Sequence, residues 1–183
     1  VLDDDSAGVA LSKTHLNLSE YGGEGSYQIG LTSQPFSDLT LTLISDEQVT
    51  TTPSEVTFTP ENWRQPRIIT VRAVDDEQVE VNGHAGLIQH TVSASDEAYR
   101  DIVISDVGVA IEDNDAIGLE SSGTDNLQVR EGGGGVIYSL RLNSRPASDV
   151  MVDLTGGGQL RIEPVALTFT AENWAETQAV SVK

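Results

Sequence analysis

The chain contains no cysteine, which removes structural disulfides, thiolate metal sites and cysteine nucleophiles together, and leaves the compartment open. Basic residues are scarce: 10 Lys and Arg stand against 29 Asp and Glu, a formal net charge of −19. A surface of that sign repels phosphate backbones and anionic lipid alike, so nucleic acid and membrane insertion are not expected. Aromatics are only 5% of the chain, which leaves few for a sugar-stacking platform once a core is filled. No apolar run approaches the ~18 residues of a membrane span, and the opening Val1-Leu2-Asp3-Asp4-Asp5 lacks the basic and apolar regions of a signal peptide. The single methionine is Met151, so the 183 residues read as a piece of a longer polypeptide. What the chain does hold is Val, Ile, Leu and Thr in quantity, with 38% hydrophobic and 21% charged residues. That is a folded, β-type composition and not an acidic disordered tail.

An internal repeat organises the rest. Thr57-Phe58-Thr59-Pro60-Glu61-Asn62-Trp63 returns 111 residues later as Thr168-Phe169-Thr170-Ala171-Glu172-Asn173-Trp174, with one change in seven. The same offset carries Glu20 onto Glu131, Tyr27 onto Tyr138, Pro35 onto Pro146 and Asp38 onto Asp149. A period of that length signals tandem modules. Residues 1–5 are expected to be the tail of a preceding module, 6–115 a complete module, and 116–183 a truncated second copy without the stretch matching Asp75 to Ile111.

Within a module the apolar period is two. Tyr27, Ile29 and Leu31 alternate with Gln28 and Gly30; Leu39, Leu41 and Leu43 with Thr40 and Thr42; Val107, Val109 and Ile111 with Gly108 and Ala110. Short runs at 16–19, 55–59, 68–74 and 86–94 bring the count to seven strands, and no segment carries a 3.6-residue apolar stripe. The expected fold is all-β, an immunoglobulin-like antiparallel β-sandwich, with Tyr27, Phe58 and Trp63 in or beside the core.

The acids then separate into scattered single residues and groups at strand ends: Glu20 before Tyr21-Gly22-Gly23; Asp75-Asp76-Glu77 with Glu80; and Glu112-Asp113-Asn114-Asp115. Sandwich loops cluster at two ends, so several of these groups can share one tip. Two carboxylates ~4 Å apart repel by about 4 kcal/mol at an effective dielectric of 20. A divalent cation resolves such a cluster. Ca2+ accepts roughly 6 to 8 oxygen ligands in a flexible arrangement, whereas Mg2+ demands tighter geometry and fewer protein ligands, which favours Ca2+. Solvated turn acids are the plain alternative, since Asp and Asn stabilise turns unaided; three clusters at strand ends, two of them recurring, weigh against it. An EF-hand loop is absent.

Glu20 to Gly23, the run Ala73-Val74-Asp75-Asp76-Glu77-Gln78-Val79-Glu80, and the closing Val109-Ala110-Ile111-Glu112-Asp113-Asn114-Asp115 resemble the Calx-β domain of sodium-calcium exchangers, integrin β4 and large bacterial surface proteins. Thr57 to Trp63 and Gly86-Leu87-Ile88-Gln89-His90-Thr91-Val92 resemble its bacterial branch. The resemblance implies a seven-stranded sandwich binding calcium at one tip, through Glu20, Asp75, Asp76, Glu77, Glu80, Asp113 and Asp115. Glu77 and Asn114 stand where the family commonly has Asp, lowering the local charge. Asp46 or Glu47 is a further candidate; Glu131 matches Glu20 but lacks the companion acids; Asp3, Asp4 and Asp5 would serve a preceding module.

His15, His84 and His90 are too separated to suggest zinc and are expected on strands or the surface. His84 and Asp76 with a serine are not placed together as a triad. Gly132 to Gly135 and Gly156 to Gly158 lack a phosphate-cradle context and are expected at loop tips. Paired carboxylates of a glycosidase or another hydrolase would need an open pocket with convergent polar groups. The expected function is therefore non-enzymatic: a calcium-binding structural module that stiffens a tandem array on a bacterial cell surface or outside the cell, its partners being calcium and neighbouring modules. The alternative is a calcium-dependent carbohydrate-binding or adhesive module contacting a polysaccharide or cell-surface ligand. The second copy is expected to expose a sheet edge that a dimer would cover.

Overall fold

Alternation of apolar and polar residues builds short strands here, and turn-forming Gly, Pro, Asp and Ser between them make the chain double back. The computed structural model describes residues 6–80 and 84–183, so the expectation for Asp3, Asp4 and Asp5 lies outside the described residues. In chain order the elements are β1 (Val9–Leu11), β2 (His15–Ser19), β3 (Gly25–Leu31), β4 (Leu39–Ser45), β5 (Val49–Thr52), β6 (Glu55–Phe58), β7 (Arg67–Ala73), β8 (His84–Ala94), α1 (Glu97–Arg100), β9 (Val107–Glu112), β10 (Leu119–Ser122), β11 (Val136–Leu142), β12 (Val150–Asp153), β13 (Ile162–Glu163), β14 (Ala166–Phe169) and β15 (Gln178–Val182). The described residues divide into two compact units, the first holding 6–76 and 84–114 and the second 77–80 and 115–183.

The first unit is a β-sandwich, as its periodicity predicts. One sheet runs β1-β3-β7-β5 and the other β2-β9-β8-β4-β6. Apolar side chains of both inner faces meet in one core that includes Tyr27, Ile29, Leu39, Leu41, Phe58, Ile69, Val71, Ile88 and Val107. A polar bond joins the two sheets through this core. Tyr27, on β3, places its hydroxyl 2.8 Å from Nε2 of His90, on β8, and both residues are buried. The Nδ1 of His90 lies 3.0 Å from the Ser105 carbonyl, which can only accept. Nδ1 therefore carries the ring proton, and Nε2 accepts from the tyrosine hydroxyl.

Two features depart from the expectation. Strands β1 and β5 add to the seven read from the sequence, each too short to show a period. The second departure is a parallel ladder: β2 pairs with β9 from His15↔Gly108 to Ser19↔Glu112, while the other ladders of the unit are antiparallel. Periodicity reports which face a residue occupies and says nothing of the neighbour's direction. The single helical turn α1 is capped by Asp96, whose Oδ1 accepts from the amide of Ala98 at 2.9 Å.

The second unit has a sheet ordered β10-β11-β15-β13 and a separate pair, β12-β14. Its core is smaller, formed by Leu140, Leu167, Phe169, Val180 and Val182. Its elements recur at the sequence offset: β3 and β11 begin and end 111 residues apart, and so do β6 and β14. The pair Ile29↔Arg67 is matched by Leu140↔Gln178. Even the turn after β6 repeats, with Thr59 N donating to Asn62 Oδ1 at 2.9 Å and Thr170 N to Asn173 Oδ1 at 2.7 Å. Strands β2, β8 and β9 have no counterpart among the described residues of the second unit.

Candidate metal centre

The parallel ladder decides where the acids fall. Because β2 and β9 run the same way, they end together, and the ladder continues one step as the Glu20 amide donates to the Glu112 carbonyl at 3.1 Å. Strand β8 runs against β9, with His84 opposite Ile111, so its first residue arrives at that same end. Strand β7 also finishes there, since Val71 near its end pairs with Gly25 at the start of β3. Glu20, Asp75, His84 and Asp113 thus share one tip although they are far apart in sequence.

After Glu20 the chain must turn sharply to enter β3. Gly22 and Gly23 do this with φ of 93° and 118°, the left-handed region that glycine enters without a Cβ penalty. The turn directs Glu20 inward: its side chain is fully shielded, and both its carboxylate oxygens are shut off from solvent.

Two groups of ligating atoms converge on Glu20, each with its atoms within 4.8 Å of one another. One joins Glu20 with Asp113 and Asp115; the other joins Glu20 with Glu80 and His84. The Nε2 of His84 is 3.5 Å from Oε1 of Glu20. One oxygen each of Glu80 and Asp115 is likewise closed to water. Of the seven acids expected as ligands, Glu20, Glu80, Asp113 and Asp115 are brought together in this way. Asp75, Asp76 and Glu77 belong to neither group. Asp75 is exposed and accepts from Asn114 Nδ2 at 3.0 Å, a bond between the second and third acidic runs. Asp76 is half-buried, and Glu77 is exposed with its backbone carbonyl accepting from the Arg145 amide at 2.6 Å.

Other candidates have local duties. Asp46 closes its own loop, accepting from the Gln48 amide at 3.1 Å and the Leu87 amide at 2.7 Å. Glu131, the counterpart of Glu20, is exposed, and no metal-ligating group occurs in the second unit alone among the described residues. His15 is an exposed strand residue and His90 is the buried partner of Tyr27. His84 is the residue that sequence reasoning passed over. It was legible only through the strand frame, because its place beside Glu20 follows from β8 starting where β2 and β9 end.

The donor set is chemically coherent. Three carboxylates supply hard oxygen donors of the kind calcium prefers, and their mutual repulsion is larger where water is excluded, as it is around Glu20. The second group, with an imidazole, is a less suitable calcium shell and widens the set by one nitrogen. The residues present fit a calcium ion held by Glu20, Asp113 and Asp115.

No family model and no curated protein matches the chain. Among solved structures it is similar to the apo-form Calx CBD1 domain, at 12% identity over 61% of this chain and 100% of that one, with a TM-score of 0.46. It is also similar to the calcium binding domain CBD12 of CALX1.1, at 13% identity over 96% and 78%, TM-score 0.45. The periplasmic chaperone SfaE is a third, at 12% identity over 96% and 87%, TM-score 0.47. Likeness at this level assigns the chain to no family and carries no property of those proteins onto it. Among the described residues, no helix is long and apolar enough to cross a membrane.

Proposed function

We propose that this chain is a non-enzymatic, calcium-binding structural module, that its two units are tandem copies of one Calx-β-like design, and that its ion site is built around Glu20. The observation that carries this reading is Glu20, a fully shielded carboxylate meeting Asp113 and Asp115 at one strand-end cluster. A buried carboxylate among other carboxylates is costly unless positive charge is near. Calcium would supply that charge together with a multidentate oxygen shell. The chain's own part is to bring the ends of β2 and β9 into register, to exclude water with the Gly22-Gly23 turn, and to present Glu80 and His84 beside the three acids. Asp75, tied to Asn114, with Asp76 and Glu77 on the same run, forms the outer acidic surface of the tip. In an array outside the cell, ion binding would order these segments and stiffen the chain.

Calorimetry on the chelator-treated chain tests it. Calcium at about one hundred times its dissociation constant would stabilise the fold by ~2.7 kcal/mol, seen as a higher melting temperature. Glu20→Gln and Asp113→Asn would abolish that rise while raising the calcium-free melting temperature, because each removes one repelling charge. An unchanged melting temperature in the parent protein would end the proposal.

A second reading, a calcium-dependent carbohydrate-binding module, is favoured by one residue. Tyr21 follows Glu20 directly and is 85% exposed, an aromatic face beside the acids. A glycan array with and without chelator separates the two readings: sugar retention lost in Tyr21→Ala supports the second.

A further inference from the structure

The turn that follows β6 recurs after β14, but the residue behind its tryptophan does not. In the first unit that residue is Arg64, whose guanidinium carbon lies 4.9 Å from the centre of the Trp63 ring. A stack of this kind occupies one face of the indole. In the second unit Ala175 stands in that place, next to Trp174. Its methyl group is too small to cover an indole, and the half-buried Trp174 lines a cavity of about 520 Å3.

The rest of the lining departs from the first unit as well. On β11 Leu140 is buried in the core, so Ser139 and Arg141 face outward, as do Ser122 and Glu120 opposite them on β10. Arg141 Nε donates to Glu120 Oε2 at 2.7 Å, and both side chains remain about half-exposed. The first unit has Ala10↔Gly30 at this step of the ladder, a pair without a polar side chain. Glu120 and Arg141 also line an adjoining cavity of about 200 Å3 together with Ser122, Ser139 and Thr177. The two cavities make one groove on the outward face, with an indole at one end, an ion pair in the middle and three hydroxyls at the other end. Strands β2, β8 and β9, which have no described counterpart in the second unit, belong in the first to the opposite sheet, so this outward face is not one that they cover.

We propose that this groove binds a neutral, linear oligosaccharide of hexose units. The C–H face of a pyranose ring is apolar and stacks on the open face of Trp174, a large and rigid contact. Arg141 donates and Glu120 accepts side by side, which matches neighbouring sugar hydroxyls that each do both, and the three side-chain hydroxyls continue the contact along the glycan. A net charge of −19 repels uronic or sulfated glycans and nucleic acid, which selects a neutral ligand. The groove lies within the second unit and uses neither Tyr21 nor the acids around Glu20, so it stands apart from the calcium reading.

The test titrates linear gluco-, manno- and galacto-oligosaccharides into the full 183-residue chain in chelator, so that its outcome is independent of calcium. The chain has two tryptophans, so its NMR spectrum carries two indole N–H signals, which Trp63→Phe assigns. At least one of the sugars is expected to shift the Trp174 signal and the Arg141 amide while the Trp63 signal stays in place. Ala175→Arg, at an exposed position, restores the cover that Arg64 gives Trp63 and is expected to weaken binding at least tenfold. Glu120→Gln with Arg141→Gln is expected to weaken it by as much. Unchanged backbone spectra of these variants without sugar would show that the fold is kept. No shift with any of the sugars at millimolar concentration, equal shifts of both indole signals, or undiminished binding by Ala175→Arg overturns the proposal.

Discussion

Tyr27 and His90 form a buried polar contact between β3 and β8, and its chemistry makes stability depend on pH. Burial pushes the Tyr27 hydroxyl well above its usual value, while burial lowers the His90 imidazole, partly offset by the Ser105 carbonyl and by Asp106. The folded protein therefore binds fewer protons at His90 than the unfolded chain between the lowered value and the ordinary one near 6.5. This contribution to stability is complete above about pH 6.5 and is lost as the pH falls through that window. Urea unfolding at pH 7.5 and pH 5 is expected to show a loss in the parent that is reduced in Tyr27→Phe/His90→Leu, which removes both partners. Tyr27→Phe alone leaves the Nε2 acceptor buried without a donor and is expected to cost about 1 to 3 kcal/mol at pH 7.5. A parent and double variant with the same pH dependence would count against the buried pair. Residues of this kind differ in how far the sequence discloses them. That Glu20 ends a strand was readable because a glycine pair follows it, and that Asp113 and Asp115 follow one was readable from the alternation of Val107 to Ile111. His84 and His90 look alike in sequence, and only registration within β8 separates the residue beside Glu20 from the core residue.

At the scale of elements, the two sheets of the first unit come close where β5 faces β8. A Cβ on Gly86 would lie 2.5 Å from Cγ1 of Val49 and 3.1 Å from its Cγ2. Neither is the end of a flexible chain, so Gly86→Ala forces the sheets apart. A loss of about 1 to 3 kcal/mol is expected in chemical denaturation, as for other overpacked cores. Gly86→Ala with Val49→Ala, which frees the space, would recover part of it; a neutral single variant would show that the sheets yield more easily. Most strands of this unit were legible, since Leu39 to Leu43 and Val107 to Ile111 alternate plainly. Strands of three or four residues such as β1 and β5 hold too few positions to display a period, and one turn of helix at α1 cannot show a stripe. The direction of β2 was hidden for another reason, because partner choice is made by the whole core and not by the strand's own residues.

For the whole molecule, the two units differ in how much they bury. The first shields a continuous core including Tyr27, Tyr99 and Phe58; the second has a core of five buried apolar residues among those described, and Tyr138, in the place of Tyr27, is only half-buried. Local stability follows such burial. Native-state hydrogen exchange is expected to show β11, β12 and β15 opening at least tenfold more readily than β3, β4 and β7. Thermal unfolding would then proceed in two steps. Equal exchange in both sets would mean that the units open together.

The parallel ladder between β2 and β9 also governs how the first unit meets tension. A pull on the chain at either side of this unit, once the three-residue strand β1 has peeled away, draws β2 by its His15 end and β9 by its Glu112 end. In a parallel pair those are opposite ends, so the load falls on all the register positions from His15↔Gly108 to Ser19↔Glu112 at once. An antiparallel pair pulled by neighbouring ends would instead open like a zip, one position at a time. The strand order that gathers the acids at one tip also arranges these two strands to resist mechanical extension in shear.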